Sequence, residues 1–286
     1  MNPSWLAPAS LKEAAESQKE MAHHLLLEDA LPPSPSLLCG LDTSCQPFDP
    51  EQRLFAAAVL LSYTGSDSKI GRWQGGALSL NQAKPAPKQP GLKASSVQAG
   101  LKLSGCPTQP EPIFQSRAVY PGFAPVETQS VEEIQTFPYV PGFLGFREAP
   151  ALVHAVQKLS QRPHLLLIDG HGVSHPRRLG IASHLGLLLD LPTIGVAKSI
   201  LVGHPLSPLG EEVGSETPLV HKGEVIGMLL RSRKRALPLI ISAGHKISLP
   251  TAVSWVKRCL TKYRLPEPTR RAHLAANEAR LLSQRK

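Results

Sequence analysis

Apolar runs and amphipathic stretches alternate along most of this chain, and their lengths indicate which runs form strands. Runs of four to eight apolar residues bounded by turn residues are typical of strands buried on both faces. Such strands are predicted at residues 37–42, 54–63, 164–169, 193–197 and 237–243, with further extended segments within 118–135. Residues 224–231 predict a strand that pairs with the preceding segment through a turn at residues 221–223.

Helices are predicted between these strands, where apolar residues recur at helical spacing. The first is rich in good helix formers and is stopped by the Pro32–Pro33 pair, and the second carries Leu152, Val153, Val156 and Leu159 on one face. The predicted helices cover residues 11–29, 150–161, 176–190, 249–263 and 268–283. Buried strands interleaved with helices indicate an α/β fold with a central mixed β-sheet flanked by helices, which we predict as one domain over residues 1–286.

One segment, residues 64–117, breaks this pattern. Between Ser68 and Pro110 there is no Asp or Glu, while Lys or Arg occurs six times among many Gly, Pro, Ser and Gln residues. Such a composition buries too little apolar surface to offset the entropy lost on ordering. We therefore predict a flexible basic insertion between two strands, either as a solvated loop or as a segment that contacts DNA.

Charge and cysteine content narrow the functional class. Lys and Arg outnumber Asp and Glu by 31 to 22, which favours a polyanionic partner such as nucleic acid, although a generally basic enzyme also fits. The four cysteines are scattered without a CxxC pair, which fits a reducing compartment better than a disulfide framework or a zinc site. No apolar run reaches the roughly 20 residues of a membrane span, so we expect no membrane contact. We also expect the protein to be a cytoplasmic monomer.

Three acidic residues stand in apolar surroundings at the ends of predicted elements. Asp169 ends the run LLLID before the glycines of DGHG, Asp42 ends LLCGLD, and Glu148 lies in GFREAP. Each could simply cap a helix or form an ion pair. Together they predict a site for a hard cation, Mg²⁺ or Mn²⁺, because oxygen ligands gathered in an apolar setting call for such an ion.

Three segments carry a family resemblance. FPYVPGFLGFREAP (137–150), LIDGHGVSHPRRLGIASHLGLLLDLPTIGVAKS (167–199) and YRLPEPTRRAHLA (263–275) closely resemble endonuclease V. The resemblance implies a ribonuclease H-like fold and Mg²⁺-dependent hydrolysis, with Mn²⁺ as a substitute. It also implies the target bond, the second phosphodiester on the 3′ side of deoxyinosine in DNA or inosine in RNA, cut to leave a 5′-phosphate.

The resemblance assigns roles around the predicted cation. Asp42, Glu148 and Asp169 match the family's metal ligands, and His273 matches the last member of the active-site cluster, where relatives carry His or Asp. His175 and Lys198 match residues close to the substrate. Lys198 would steady the scissile phosphate, whereas His175 could instead cap the helix predicted to start at Pro176.

The PYVPGF motif implies a wedge. Tyr139 lies between Pro138 and Pro141, which stiffen the backbone so that the ring can replace the stacking of a base flipped out of the helix. The flipped hypoxanthine would enter a pocket beside Val140 and Pro141, lined by family positions that match Gly142, Leu144, Gly170, Gly172, Gly180 and Ile181. Arg147 and the Arg177–Arg178 pair are candidates for phosphate contacts.

Two departures from the family pattern leave alternatives open. Thr43 and Cys45 stand where relatives commonly have Val and an aromatic residue, and the 64–117 insertion is unusually long. If the strands flanking the insertion do not pair, Asp42 is misplaced and the prediction of metal binding no longer holds. The altered surroundings of Asp42 also allow a second hypothesis, a lesion-binding module that does not cleave. A structure-selective resolvase on the same fold is a third hypothesis, which the PYVPGF motif disfavours.

Overall fold

The computed structural model of the protein describes residues 2–46, 49–65 and 122–284. The predicted insertion at residues 64–117 lies outside these residues, except for its first two positions. None of the helices in the described part of the chain has the length and apolar character that crossing a membrane requires.

The described strands form one mixed sheet. They are β1 (Leu37–Cys45), β2 (Arg53–Tyr63), β3 (Phe123–Ile134), β4 (Leu165–Ile168), β5 (Thr193–Ala197), β6 (His204–Pro205), β7 (Glu216–His221), β8 (Glu224–Leu230) and β9 (Leu239–His245). Their order across the sheet is β3-β2-β1-β4-β5-β9-β8-β7-β6. The pairs β1–β4 and β4–β5 are parallel and the other pairs are antiparallel, so the predicted mixed sheet is confirmed.

Helices cover both faces of the sheet. A 3₁₀ turn (Pro3–Trp5) precedes α1 (Leu11–His23), α2 (Leu144–Gln157), α3 (Ile181–Leu189), α4 (Leu249–Arg258) and α5 (Glu267–Ser283). Alternate strand residues point to opposite faces: Leu38 and Leu167 pack with α4 and α5, whereas Leu41 and Ile168 pack with α2 and α3. The result is a three-layer arrangement with a hydrophobic core on each side of the sheet.

The strands on either side of the predicted insertion pair with each other. β2 and β3 are antiparallel along their whole length, from Arg53 opposite Ile134 to Tyr63 opposite Phe123. β2 also pairs with β1 throughout. The strands that flank the insertion therefore pair, as the predicted position of Asp42 requires. β1, the strand that carries Asp42, is fixed between β2 and β4.

Several predicted helix boundaries were wrong. α1 ends at His23 rather than at residue 29, α4 ends at Arg258 rather than 263, and α2 begins at Leu144 with Pro150 inside it. α3 begins at Ile181, because residues 176–180 turn back over the DGHG segment, where the Gly180 N–H donates to Gly172 O (3.0 Å). Local sequence does not reveal such contacts, since they depend on what packs nearby.

Candidate active site

Asp42 and Asp169 lie side by side at one edge of the sheet. β1 and β4 run parallel with Leu41 opposite Ile168, and the Asp169 N–H continues the ladder by donating to Leu41 O (3.1 Å). An aspartate directly follows both Leu41 and Ile168, so the register itself brings the two carboxylates together. Ligands of open α/β sheets bind at this carboxyl edge of parallel strands.

His273 reaches the same place from α5. The close approach of this helix depends on Gly40, because a Cβ on that residue would lie 1.9 Å from Pro268 O. His273 Nδ1 lies 2.7 Å from Asp42 Oδ2, and the Asn277 side chain lies 3.2 Å from the other ring nitrogen. The ring is therefore held between the Asp42 carboxylate and the Asn277 amide. The hydrogen bond to Asp42 also raises the pKa of His273.

These three side chains fit a divalent cation. Among the described residues, ligand atoms of Asp42, Asp169 and His273 lie within 4.8 Å of one another. Asp169 Oδ2 is buried, and the Lys198 ammonium forms an ion pair with it. Burial and the nearby Asp42 charge raise the pKa of Asp169, while Lys198 lowers it. Two carboxylates and an imidazole gathered in one place form a suitable cation site.

Glu148 approaches this trio from the opposite layer. It lies on α2, and its carboxyl interacts with the side chain of Thr43, the neighbour of Asp42 on β1. Burial raises the pKa of Glu148 to about 8, and the charges of Asp42 and Asp169 contribute to the rise. Glu148 therefore lies beside the trio rather than within it, and a bound cation would favour its ionised form.

A cavity of about 280 Å³ adjoins the cluster. The cluster and the cavity meet at two places where neighbouring residues of the chain belong to one and to the other. Asp169 belongs to the cluster and the next residue, Gly170, lines the cavity; Lys198 is paired with Asp169 and the next residue, Ser199, lines the cavity. The predicted residues that line the cavity are Tyr139, Val140, Pro141, Gly142, Leu144, Gly170, Gly180 and Ile181, together with His175. The cavity is slightly smaller than the pockets of about 300–1,000 Å³ that hold drug-sized ligands.

Tyr139 stands at the rim of the cavity with its side chain displayed. The residue is 72% exposed, so its ring is not part of the hydrophobic core. Pro138, by contrast, is absent from the cavity wall as far as the described residues define it. The PYVPGF segment thus presents one aromatic ring to solvent beside the cavity.

The glycines of the DGHG region serve close packing as well as the cavity. A Cβ on Gly170 would lie 2.3 Å from the Ile181 side chain, and one on Gly180 would lie 2.3 Å from His171 O. Gly172 faces away from the cavity, because its Cβ would meet Ala243 O on β9 at 2.1 Å. We therefore place Gly172 in the support of the loop rather than in its lining.

Three predicted substrate contacts are engaged within the protein. Arg147 donates to Phe137 O (2.9 Å), and Arg178 donates to Glu224 (2.7 Å). His175 uses both ring nitrogens, since Nδ1 accepts from the Arg177 N–H (3.2 Å) and Nε2 donates to Gly142 O (3.0 Å). Burial lowers the pKa of His175 to about 4, so the ring is neutral.

Residues that sequence reasoning missed also form the site, notably Gln18, His171 and Gly40. Gln18 lines the cavity and is 1% exposed. A sequence pattern could have revealed it, because Ala14, Gln18 and Met21 follow helical spacing, which places a polar residue on the buried face of α1. A buried amide on such a face needs hydrogen-bond partners, and this requirement indicates a structural or binding role for the residue.

The fold and the site together define an α/β protein with a cation site beside a cavity at the carboxyl edge of a mixed sheet. A sequence model described as Endonuclease V matches residues 107–274. Endonuclease V of Protochlamydia amoebophila (strain UWE25) is 43% identical over 283 residues, which covers 99% of this chain and 96% of the relative. The chain therefore belongs to the endonuclease V family.

Solved structures agree with this assignment. Endonuclease V from Streptomyces avermitilis matches with a TM-score of 0.71 at 29% identity, covering 97% of this chain and 96% of that one. Ciona intestinalis endonuclease V, in complex with a 24mer DNA containing an inosine followed by a ribo-adenosine, shares the fold with a TM-score of 0.65 at 24% identity, covering 96% and 99%. The predicted fold class and the predicted enzyme class, a nuclease of a metal-dependent family, are confirmed.

Proposed function

We propose that this protein is a Mg²⁺-dependent endonuclease that hydrolyses the second phosphodiester bond 3′ to deoxyinosine in DNA, and to inosine in RNA. One observation carries the proposal: after β4 the cluster residue Asp169 directly precedes the cavity residue Gly170, and after β5 Lys198, the partner of Asp169, directly precedes the cavity residue Ser199. A base held in the cavity would thus keep the neighbouring backbone close to the cluster. Mn²⁺ would replace Mg²⁺ at the same oxygen ligands.

Base recognition is assigned to the cavity and its rim. Hypoxanthine flipped out of the strand would enter the cavity between the 139–145 and 170–181 segments that line it. The exposed ring of Tyr139 would fill the gap left in the stack, since base–aromatic stacking is worth about 1–3 kcal/mol. The Ciona relative, whose structure contains an inosine-bearing DNA, has the same fold.

The cluster is assigned to the hydrolysis. Asp42 and Asp169 would hold the cation, with Glu148 and His273 beside them. When bound, the ion would supply a water of lowered pKa and positive charge against the phosphate. Lys198 holds its ammonium at Asp169, where it can exchange this partner for the scissile phosphate.

A nicking assay with matched inosine DNA and RNA strands tests the proposal. Asp169→Asn should abolish Mg²⁺-dependent cutting while leaving binding of the inosine strand largely intact, because the cavity is unchanged. Asp190→Asn is the matched control, since that carboxylate is 70% exposed and pairs with Lys246 away from the cluster. Full cutting by the Asp169 variant would reject the cluster assignment, and tight binding by the wild type without nicking in Mg²⁺ or Mn²⁺ would instead support the lesion-binding alternative.

A further inference from the structure

The cavity has two walls from different parts of the chain, and one side chain joins them. The first wall is the 139–145 segment with Tyr139 at its rim, and the second is the 170–181 segment. The Gln18 amide Nε2 donates to Gly142 O in the first wall (3.0 Å) and to Leu179 O in the second (3.4 Å). A residue of the N-terminal helix α1 thus bridges the two sides of the cavity.

Gly142 O is an unusual hydrogen-bond acceptor. Besides the Gln18 amide, it accepts from His175 Nε2 (3.0 Å) and Arg177 Nη2 (2.7 Å), so three donors converge on one carbonyl. The backbone of Gly142 has a φ of +80°, a conformation that favours glycine. The loop that presents Tyr139 is therefore anchored at Gly142, inside the turn that the Phe143 N–H closes on Val140 O.

Gln18 also fixes the position of Arg177, one of the other two donors to Gly142 O. Its Oε1 accepts from Arg177 Nε, which holds the guanidinium over the Phe143 ring at 4.2 Å. Both ends of the Gln18 amide are thereby used, and the residue is 1% exposed. A buried amide with every polar group engaged holds its surroundings rigidly, and removal of the amide leaves several partners unsatisfied.

We propose that Gln18 is a positioning residue that sets the separation of the two cavity walls and the pose of the Tyr139 loop, so that α1 is part of the base-recognition apparatus. This inference rests on the proposed function, in which the cavity receives the flipped base. Gln18 does not contact the metal cluster in this arrangement; it acts through Gly142 and Leu179. Its loss should therefore weaken recognition of the base rather than the hydrolytic step.

Gln18→Met tests this role, because methionine has a similar length and no hydrogen-bonding amide. The expected result is a KM for the inosine strand raised about tenfold, with the rate at saturating substrate within about twofold of wild type. Ser17→Ala is the matched control, since Ser17 is equally buried on α1 but bonds only to Ser4 Oγ in the interactions described. An unchanged KM, a lower saturated rate with normal KM, or an equal effect of Ser17→Ala would overturn the proposal.

Hydrogen exchange of the free protein gives an independent readout. The Phe143 N–H donates to Val140 O (3.0 Å), so its exchange reports the closure of the loop. Exchange in the 139–146 segment should accelerate in Gln18→Met and stay unchanged in Ser17→Ala; equal exchange in all three proteins would refute the role.

Gln18→Glu provides a second variant should the methionine variant not fold. Glutamate keeps an acceptor for Arg177 but cannot donate to Gly142 O when ionised, so the same changes in KM and exchange are expected, and wild-type values would count against the proposal. Exchange requires no substrate. If the wild type fails to cut an inosine strand, the proposed function is wrong, while the exchange comparison still decides whether Gln18 positions the loop.

Discussion

Gly40→Ala should displace His273 while leaving the other residues of the site in place. The new Cβ would lie 1.9 Å from Pro268 O and 2.2 Å from Pro268 C, whereas real Cβ atoms essentially never come closer than 3.0 Å. Backbone atoms cannot rotate away as a flexible side chain would. The first turn of α5 must therefore retreat from β1 by about 1 Å.

That retreat would reach the cation site. His273 lies about one and a half turns further along the same helix, so it moves with the first turn. A hydrogen bond of 2.7 Å to Asp42 that lengthens by about 1 Å is lost. We expect about 1–3 kcal/mol of lost stability, as for other overpacked cores, and a nicking rate lowered by about 100-fold.

Two measurements check this expectation. The melting temperature should fall by several degrees, since about 1 kcal/mol corresponds to roughly 2–4 °C in a protein of this size, and nicking should require more Mg²⁺. Val256→Ala is the control for stability alone, because this buried residue lies on α4, which packs against β9. It should destabilise by about 2 kcal/mol without the loss of rate. Wild-type nicking by Gly40→Ala would show that the contact between β1 and α5 does not position His273.

Three further predictions concern other parts of the site. Tyr139→Ala should weaken binding of an inosine strand while leaving the melting temperature unchanged, because the ring is 72% exposed; equal affinity in a fluorescence anisotropy titration would exclude the wedge role. In the metal-free protein, the raised pKa of Glu148, about 8 in the folded state, should make stability fall as pH rises from 4.5, the ordinary pKa of a glutamate, towards 8, since the folded state then binds the extra proton. Buried histidines whose pKa is lowered to about 4 act in the opposite direction only below about pH 6.5. Urea unfolding between pH 6.5 and 8 should therefore show a decline that Glu148→Gln reduces, and His273, whose pKa is also raised, accounts for part of the remainder. Binding to nucleic acid should also weaken with salt, by roughly 0.9 log units per log unit of salt for each phosphate neutralised, and a flat salt titration would contradict phosphate contact.

Much of the architecture follows from local patterns. β5 lies where an apolar run predicts it, because a strand buried on both faces needs continuous apolar residues. The hairpin of β7 and β8 lies where the turn at residues 221–223 predicts it. The two aspartates could be identified individually, since each ends such a run before a change in composition. The displayed Tyr139 was also predictable, because prolines on both sides restrict its backbone.

Only the tertiary structure decided how these residues meet. The register of β1 against β4 places Asp42 beside Asp169, although more than a hundred residues separate them in sequence. The roles of Gly40 and Gln18 depend on contacts with distant parts of the chain, since Gly40 packs against Pro268 and Gln18 donates to Gly142 O. Sequence patterns report which face of an element is buried, whereas the partner on that face is set by packing between elements, and this packing creates both the cation site and the cavity.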